Sequence, residues 1–442
     1  MAAYENVSSP VTSEPNRKIT RAGIPARSWL TVILCSMYGI FYLDRVNISQ
    51  SASFIQKDFN LTNTELGLIF SAFSWSYLAG QFSGGWLAYR FGARRVLFFC
   101  ALIVGIGTIS SGLVGGILTL FAARLAVGIG EGPAFPSATH AMRTWYPIRL
   151  FGWIQGITHS FARLGGAIAP PLVAALILID GWRLSFYACG LLSLSWALVW
   201  VFYYKNNPFD HRLLTKAEAA ELETPKAKSR GKTPWLALAR RIWPATLVEF
   251  CYGWTLWVFS SWLPLYFMNQ HHQDVKRSAL FSGLLIAGGM IGDTVGGLVT
   301  DRLLVSTGKR RLARCGVMFA GMLGGGLFML PTLFTHDLYW VVPLLALSFF
   351  CVELVVAPMW AVCMDITPQY AGIATSMMTL GFGLSGIISP IVFGWLIDRT
   401  GNWNVPFITA VAILFFGAAL VWLIRPDVQL DTRETKSGTL TQ

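Results

Sequence analysis

Apolar runs close to 20 residues alternate with short polar breaks along nearly the whole chain. A run of about 20 apolar residues is enough to cross a hydrocarbon core as a helix. The pattern predicts spans over 28–48, 65–87, 95–113, 115–137, 150–174 and 184–204, and a second set over 245–267, 279–300, 314–334, 338–362, 371–396 and 404–424. The expected fold class is all-α and integral to the membrane, with twelve transmembrane helices in two six-helix pseudo-repeated halves. The implied division is an N-terminal tail 1–27, a first bundle 28–204, a linker 205–242, a second bundle 243–425 and a C-terminal tail 426–442.

Composition sharpens the class. Hydrophobic residues make up 54% of the chain and charged ones 13%, against about 25% charge in soluble domains. The net charge of +12 comes from basic residues in short loops, which argues against a nucleic-acid partner and for the positive-inside bias of a membrane protein. Arg17, Lys18, Arg21 and Arg27 precede the first span, Arg90, Arg94 and Arg95 follow the second, Arg143 and Arg149 follow the fourth, and Arg302, Lys309, Arg310, Arg311 and Arg314 follow the eighth. The opposite loops carry only Lys57, Arg183, Lys276, Arg277 and Arg399. Both termini are therefore expected in the cytoplasm, with the chain multi-pass in the inner membrane. The seven cysteines are scattered through apolar segments without a CxxC pair, the pattern of small buried hydrophobes rather than of a disulfide frame or metal site.

The tails are polar, and the first 27 residues carry Pro10, Pro15 and Pro25 without a cleavable signal pattern. The first span is expected to act as its own insertion signal. Ahead of span two, Thr62 and Glu65 have the spacing of a capping box, with Leu61 and Leu66 as a staple. The linker holds one short helical pattern, with Thr215 as its cap, and is too short for a folded catalytic or signalling domain.

The two halves repeat each other. Gly80, Gly84, Gly85 and Arg90 recur at constant offset as Gly292, Gly296, Gly297 and Arg302, and Gly166 and Pro170 recur as Gly386 and Pro390. Repeated halves built of helices interrupted by glycine and proline suggest alternating access around a midplane site, although close helix packing accounts for any single glycine.

Charges inside the apolar runs supply the candidate chemistry. Arg124 and Glu131 are seven residues apart, about two turns along one helix face, and Asp44-Arg45 lies near the end of the first span. An ionised side chain at bilayer depth costs about 2.5 to 3.5 kcal/mol, so these four groups either lock helices as two ion pairs or form a working centre. With both acids ionised the four charges cancel. With both protonated, two arginines are left to bind an anionic carboxylate, for which the guanidinium fork is suited. Gln155, His159 and Arg163 form a stripe at spacing four in span five, with Arg163 a third anion-facing cation. Tyr77 in span two, Trp257 in span seven and Trp360 in span ten are further cavity candidates. Glu249, Asp293 and Glu353 are acids of the second half with no cation in reach on their own helices; Asp293 is expected in a structural pair rather than as a second proton site. No metal constellation, nucleophilic triad or phosphate-cradling GxxxxGK[ST] loop is visible, so neither an enzyme nor a cofactor is expected.

These residues resemble the major facilitator superfamily. GGWLAYRFGARR is similar to its loop signature between spans two and three, with Gly85, Arg90, Gly92 and Arg94 as gating positions and Asp301 and Arg302 in the second copy; RLAVGIGE is similar to its span-four signature. FYLDRVNIS, FSAFSWSYLAGQFSGGW, GIGEGPAFP and TLWVFSSWLPLYF resemble its anion:cation symporter branch, whose bacterial members carry sugar acids and related carboxylates. The resemblance implies proton-coupled symport, with Asp44 and Glu131 as protonatable acids, Arg45 and Arg124 as anion-handling arginines, and Tyr77, Trp257 and Trp360 as cavity residues. Two departures stand out: Tyr89 replaces the usual acid of the loop signature, and Arg163 lies near where galactonate-type carriers offer a glutamine.

The expectation is a monomeric secondary transporter importing a small organic carboxylate, a sugar acid or relative, with protons. The rivals are an anion exchanger or exporter of the same fold and a transport-like membrane sensor.

Overall fold

The computed structural model describes residues 25–222, 234–335 and 337–430. The tail through residue 24, the linker stretch 223–233 and the tail from 431 onward lie outside the described residues. Everything regular among the described residues is helical.

The helices are α1 Ala26–Gln50, α2 Ala52–Phe59, α3 Asn63–Phe91, α4 Ala93–Leu113, α5 Ile117–Glu131, α6 Ala134–Trp145, α7 Phe151–Tyr203, α8 Lys216–Ala220, α9 Trp235–Asn269, α10 Val275–Thr307, α11 Val317–Met329, α12 Leu338–Glu353, α13 Val356–Ile366, α14 Ala371–Thr400 and α15 Asn404–Val421. Among the described residues, nine helical stretches are long and apolar enough to cross a membrane, counting α5 with α6 and α12 with α13 as one each. The long α3 and α9 fall outside that set. Residues 151–203 form two helical arms joined where Asp180 and Gly181 leave helical geometry, Gly181 with φ +73°, a value that glycine reaches without a Cβ clash.

Several predicted spans are corrected in detail. Span four, expected unbroken over 115–137, is interrupted after Glu131. Pro133 has no N–H for the carbonyl four residues back, and its ring crowds that carbonyl. Span ten breaks after Glu353 for the same reason, with Pro358 four residues beyond Leu354. α9 begins at Trp235, inside the stretch 205–242 expected as the linker. The short α2 was hidden in a stretch expected as a loop.

The box at Thr62 and Glu65 forms: Glu65 N–H donates to Thr62 Oγ1 and Thr62 N–H to the Glu65 carboxylate. Thr215 and Glu218 form a second one that starts α8. The repeated glycines are contact points. A Cβ on Gly84 would meet Pro133 O at 2.5 Å, and one on Gly296 would meet Leu354 O at 2.5 Å. Each half thus packs its second helix onto the break in its fourth.

The first bundle has its own core, in which Tyr38, Phe41, Trp145 and Trp200 are fully buried. A second core runs through α9 to α15 and reaches into the first bundle at Phe70 and Phe186. The bundles meet along the N-terminal part of α3 and the C-terminal part of α14. Asp398 there accepts hydrogen bonds from the backbone N–H of Asn63 and Thr64, from Asn63 Nδ2 and from Thr64 Oγ1. Ser53 and Met268 join α2 to α9 at the same end, with Oγ 3.4 Å from the sulfur. At the opposite end, where α9 and α14 begin, no hydrogen bond or ion pair among the described residues joins the bundles.

Candidate functional site

Charges from α1 and α5 meet in the middle of the first bundle. Arg45 Nε donates to Glu131 Oε2 at 2.6 Å, and the Glu131 carboxylate is wholly shut off from solvent. The Arg45 guanidinium lies 4.5 Å from the Tyr77 ring centre, 5.0 Å from those of Tyr42 and Phe73, and 5.5 Å from that of Phe135. Arg124 lies 5.5 Å from the same Phe73 ring, so one aromatic ring serves two cations. Such contacts add about 2 kcal/mol when desolvated.

The second ion pair of the helix-locking alternative does not form. Asp44 is fully buried, but its Oδ2 accepts from Ser193 Oγ at 2.8 Å and its Oδ1 has no hydrogen-bond partner. Arg124 is 2% exposed, yet its Nε and Nη1 make no hydrogen bond, and Arg45 Nη2 and Glu131 Oε1 make none either. Buried donors without acceptors are costly. Here they converge on a small region with two guanidinium groups, which is what an anion-binding site requires.

The other candidates divide. Tyr77 belongs to the cluster, its hydroxyl accepting from Gln81 Nε2 at 2.9 Å. Trp257 reaches it from the second bundle, 6.2 Å from the Phe73 ring, with its indole N–H donating to Phe382 O at 3.2 Å. Gln155 donates to Thr139 Oγ1 at 3.0 Å, and His159 sets its ring 5.4 Å from Tyr38, edge to face. Trp360 is exposed on α13 and has no ring contact with the cluster among the described residues.

Arg163 turns to the other bundle. Its Nη1 is 2.7 Å from Glu353 Oε2, and its Nη2 is 3.5 Å from Asp293 Oδ2. The Glu353 contact is close but off hydrogen-bond geometry, for Oε2 has no hydrogen-bond partner. The Tyr252 hydroxyl donates to the other oxygen at 3.2 Å. The cation missing from the helices of Asp293 and Glu353 thus comes from α7.

The loop positions differ between halves. Tyr89 is exposed, and Arg90 lies 5.8 Å from each of the Trp86 and Phe91 rings rather than against an acid. In the second copy Asp301 lies 3.2 Å from Arg314, which also donates to Asp365 at 3.0 Å, while Arg302 is exposed. Gly92 has φ +81° and is held against Asn206; Arg94 donates to Val201 O through Nε and Nη2, at 2.9 and 2.6 Å. Gly85 has nothing within 4 Å of an added Cβ, so the close approach expected of the motif belongs to Gly84.

Sequence reasoning missed Tyr42, Phe73, Ser193 and Tyr252. Each is an ordinary residue of an apolar helix, and only the packing gives it a charged neighbour. Among the described residues no group of three or more His, Cys, Asp or Glu could hold a metal ion. Two surface hollows, one between α4 and α5 and one beside Arg310 and Trp422, are lined by none of the candidate site residues.

Long apolar helices in two repeated halves, with charges buried where the helices break, define a membrane transporter rather than an enzyme. The chain belongs to the Major Facilitator Superfamily, whose family model matches residues 34–390 and again 317–440. A probable sulfoacetate transporter of Cupriavidus necator is 45% identical over 94% of this chain and 97% of its own. A hexuronate transporter of Bacillus subtilis is 30% identical over 88% of this chain and 92% of its own. Among solved structures, an inward-facing bacterial homologue of the human lysosomal transporter Spinster superposes with a TM-score of 0.76 at 17% identity, covering 91% of this chain and 97% of that one, a likeness of fold alone.

Proposed function

We propose that the protein takes up a small organic acid anion, of the sulfoacetate or sugar-acid kind, together with protons. The supporting observation is Arg124: a buried guanidinium with two unpartnered donors, one aromatic ring away from an arginine whose charge Glu131 already balances. An entering acid group completes Arg124. Protonating Glu131 releases Arg45 to the same anion, and Asp44, held by Ser193 rather than by an arginine, is the second proton carrier. Binding the anion and binding the proton then favour each other, because each removes the partner that the other leaves uncompensated.

Twelve passes follow if α7 crosses twice and α3 and α9 cross despite their polar positions. With the termini in the cytoplasm of an inner-membrane monomer, the bundle contacts at Asp398 close the outer side and the site faces inward. Rocking of the halves then carries anion and proton across. The membrane potential adds about 2.3 kcal/mol per net charge per 100 mV, so the proton count sets how far uptake can concentrate the anion.

The test is reconstitution in liposomes with a pH dye inside, followed by external addition of sulfoacetate, hexuronates and glucarate. Acidification of the lumen with one of them supports the reading. Flux without acidification contradicts proton symport, and no flux with any of them contradicts the substrate class.

A further inference from the structure

The charge contacts of Arg163 join the two bundles in the middle of their helices, and no residue of the proton–anion cluster takes part in them. Arg163 lies on the first arm of α7, while Glu353 and Asp293 lie on α12 and α10. The geometry also relates the two glutamates. Glu131 is the last residue of α5 and Glu353 the last of α12, each just before the break onto which the repeated glycines pack. The first bundle sets its glutamate on its own Arg45, whereas the second sets its glutamate on an arginine of the other bundle.

Tyr42 lies beside both Arg45 and the turn of α7 that follows Arg163. The Tyr42 ring is 5.0 Å from the Arg45 guanidinium. The same ring has an atom 3.5 Å from where a Cβ of Gly166 would stand, and Gly166 is three residues beyond Arg163, about one helical turn. Arg163, a third cation, therefore sits on the helix that packs against a ring of the anion cluster. In this state acids hold it.

Rocking the bundles apart at the Asp398 end must also shift α7 against α10 and α12. These helices touch where a Cβ on Gly283 would meet Ala167 O at 3.0 Å. Breaking the contact of Arg163 with Glu353 and Asp293 without replacement strands a cation and an enclosed carboxylate, and loss of one partner of a buried pair is strongly destabilising. A substrate with a second acid group supplies the replacement on Arg163.

We propose that Arg163 is a substrate-selectivity residue: it exchanges Glu353 and Asp293 for the second acid group of an organic dianion whose first acid group is held by the Arg45–Arg124 cluster. The dianion then both fills the site and releases the contact between bundles. A monoanion fills only the Arg124 side and leaves the contact closed. This rests on the proposed organic-anion function and narrows it to a charge class.

The experiment measures the affinity of the full-length reconstituted protein for sulfoacetate, malonate and succinate as dianions and for acetate and methanesulfonate as monoanions. The wild type is expected to favour the dianions at least tenfold. Arg163→Gln combined with Glu353→Gln, so that no enclosed carboxylate is stranded, is expected to erase that preference, and Arg163→Lys, which keeps the charge but not the fork, to fall between. Glu353→Gln is expected to keep the preference, because Arg163 is then freed rather than lost. A wild-type preference that survives in both Arg163 variants overturns the inference alone, as does a wild type without preference. A wild type that binds neither class overturns the functional reading on which it rests.

Discussion

Arg45 and Arg124 lie 5.0 and 5.5 Å from the centre of one ring, that of Phe73, and of the two only Arg45 makes an ion pair among the described residues. Two guanidinium groups so placed repel each other unless something negative lies between or beside them. Glu131 supplies that for Arg45 at 2.6 Å. Among the described residues, nothing accepts a hydrogen bond from Arg124 Nε or Nη1.

Arg124 is therefore expected to carry anion affinity directly. Charge-assisted hydrogen bonds contribute about 1.5 to 3 kcal/mol each, so Arg124→Gln should weaken binding roughly 10- to 100-fold. Arg124→Lys should recover only part, since an ammonium lacks the fork. Equilibrium binding on purified protein checks this. Equal affinity in wild type and Arg124→Gln would remove Arg124 from the site.

The repeated glycines give a paired control. Gly84→Ala places a Cβ 2.5 Å from Pro133 O, and backbone on both sides cannot yield cheaply, whereas Gly85→Ala meets nothing within 4 Å. The first should lower the melting temperature by several degrees and the second leave it unchanged. Equal effects would mean that the close approach of α3 to the α5 break does not stabilise the fold.

That glycine pair also marks the limit of what the chain displays before folding. The offset between Gly80, Gly84 and Gly292, Gly296 was legible because identical residues recur, and the cap at Thr62 because its partner is three residues away. The ion pairs were not. Glu353 is 190 residues from Arg163 in sequence, and no periodicity within either helix points to the other. Asp44 sat beside Arg45 and looked like its partner, yet adjacent residues on a helix point in different directions, and Asp44 turns to Ser193 instead. The break after Glu131 was hidden by continuous apolar sequence, although Pro133 was there to signal it.

Asp398 closes one end by accepting from the first two backbone N–H groups of α3, with distances of 3.1 and 2.7 Å. A carboxylate at a helix N-terminus is favoured by the helix dipole as well. Asp398→Asn keeps an acceptor but loses the charge and turns a donor toward donors. The expected result is faster hydrogen exchange in residues 63–70 and a population shifted toward opening at that end. Unchanged exchange would assign the closure to apolar contacts instead.

The linker is pinned to the first bundle by Glu221, which accepts from Arg27 Nη1 at 2.6 Å and Arg149 Nη2 at 2.5 Å. The Arg27 hydrogen bond, reinforced by Arg149, holds the Glu221 carboxyl below its usual value of 4.5. A depressed carboxyl contributes above its unfolded value and loses that contribution as pH falls through the folded one. Proteolysis of the linker should therefore proceed alike near pH 7 and near pH 5 and accelerate only as pH falls below the usual value of 4.5. Glu221→Gln should show the fast rate already at neutral pH. A rate that climbs between pH 7 and pH 5 would place the sensitive group elsewhere.

The central claim is that one buried carboxylate links the proton to the anion, and Glu131→Gln in liposomes tests it most directly. The variant leaves the site its shape and gives Arg45 a neutral partner, as protonation does. Substrate-driven acidification of the lumen should disappear, while exchange of labelled for unlabelled substrate across the same membrane should continue. Loss of exchange together with acidification, or acidification that persists, would show that Glu131 does not couple the proton to the anion.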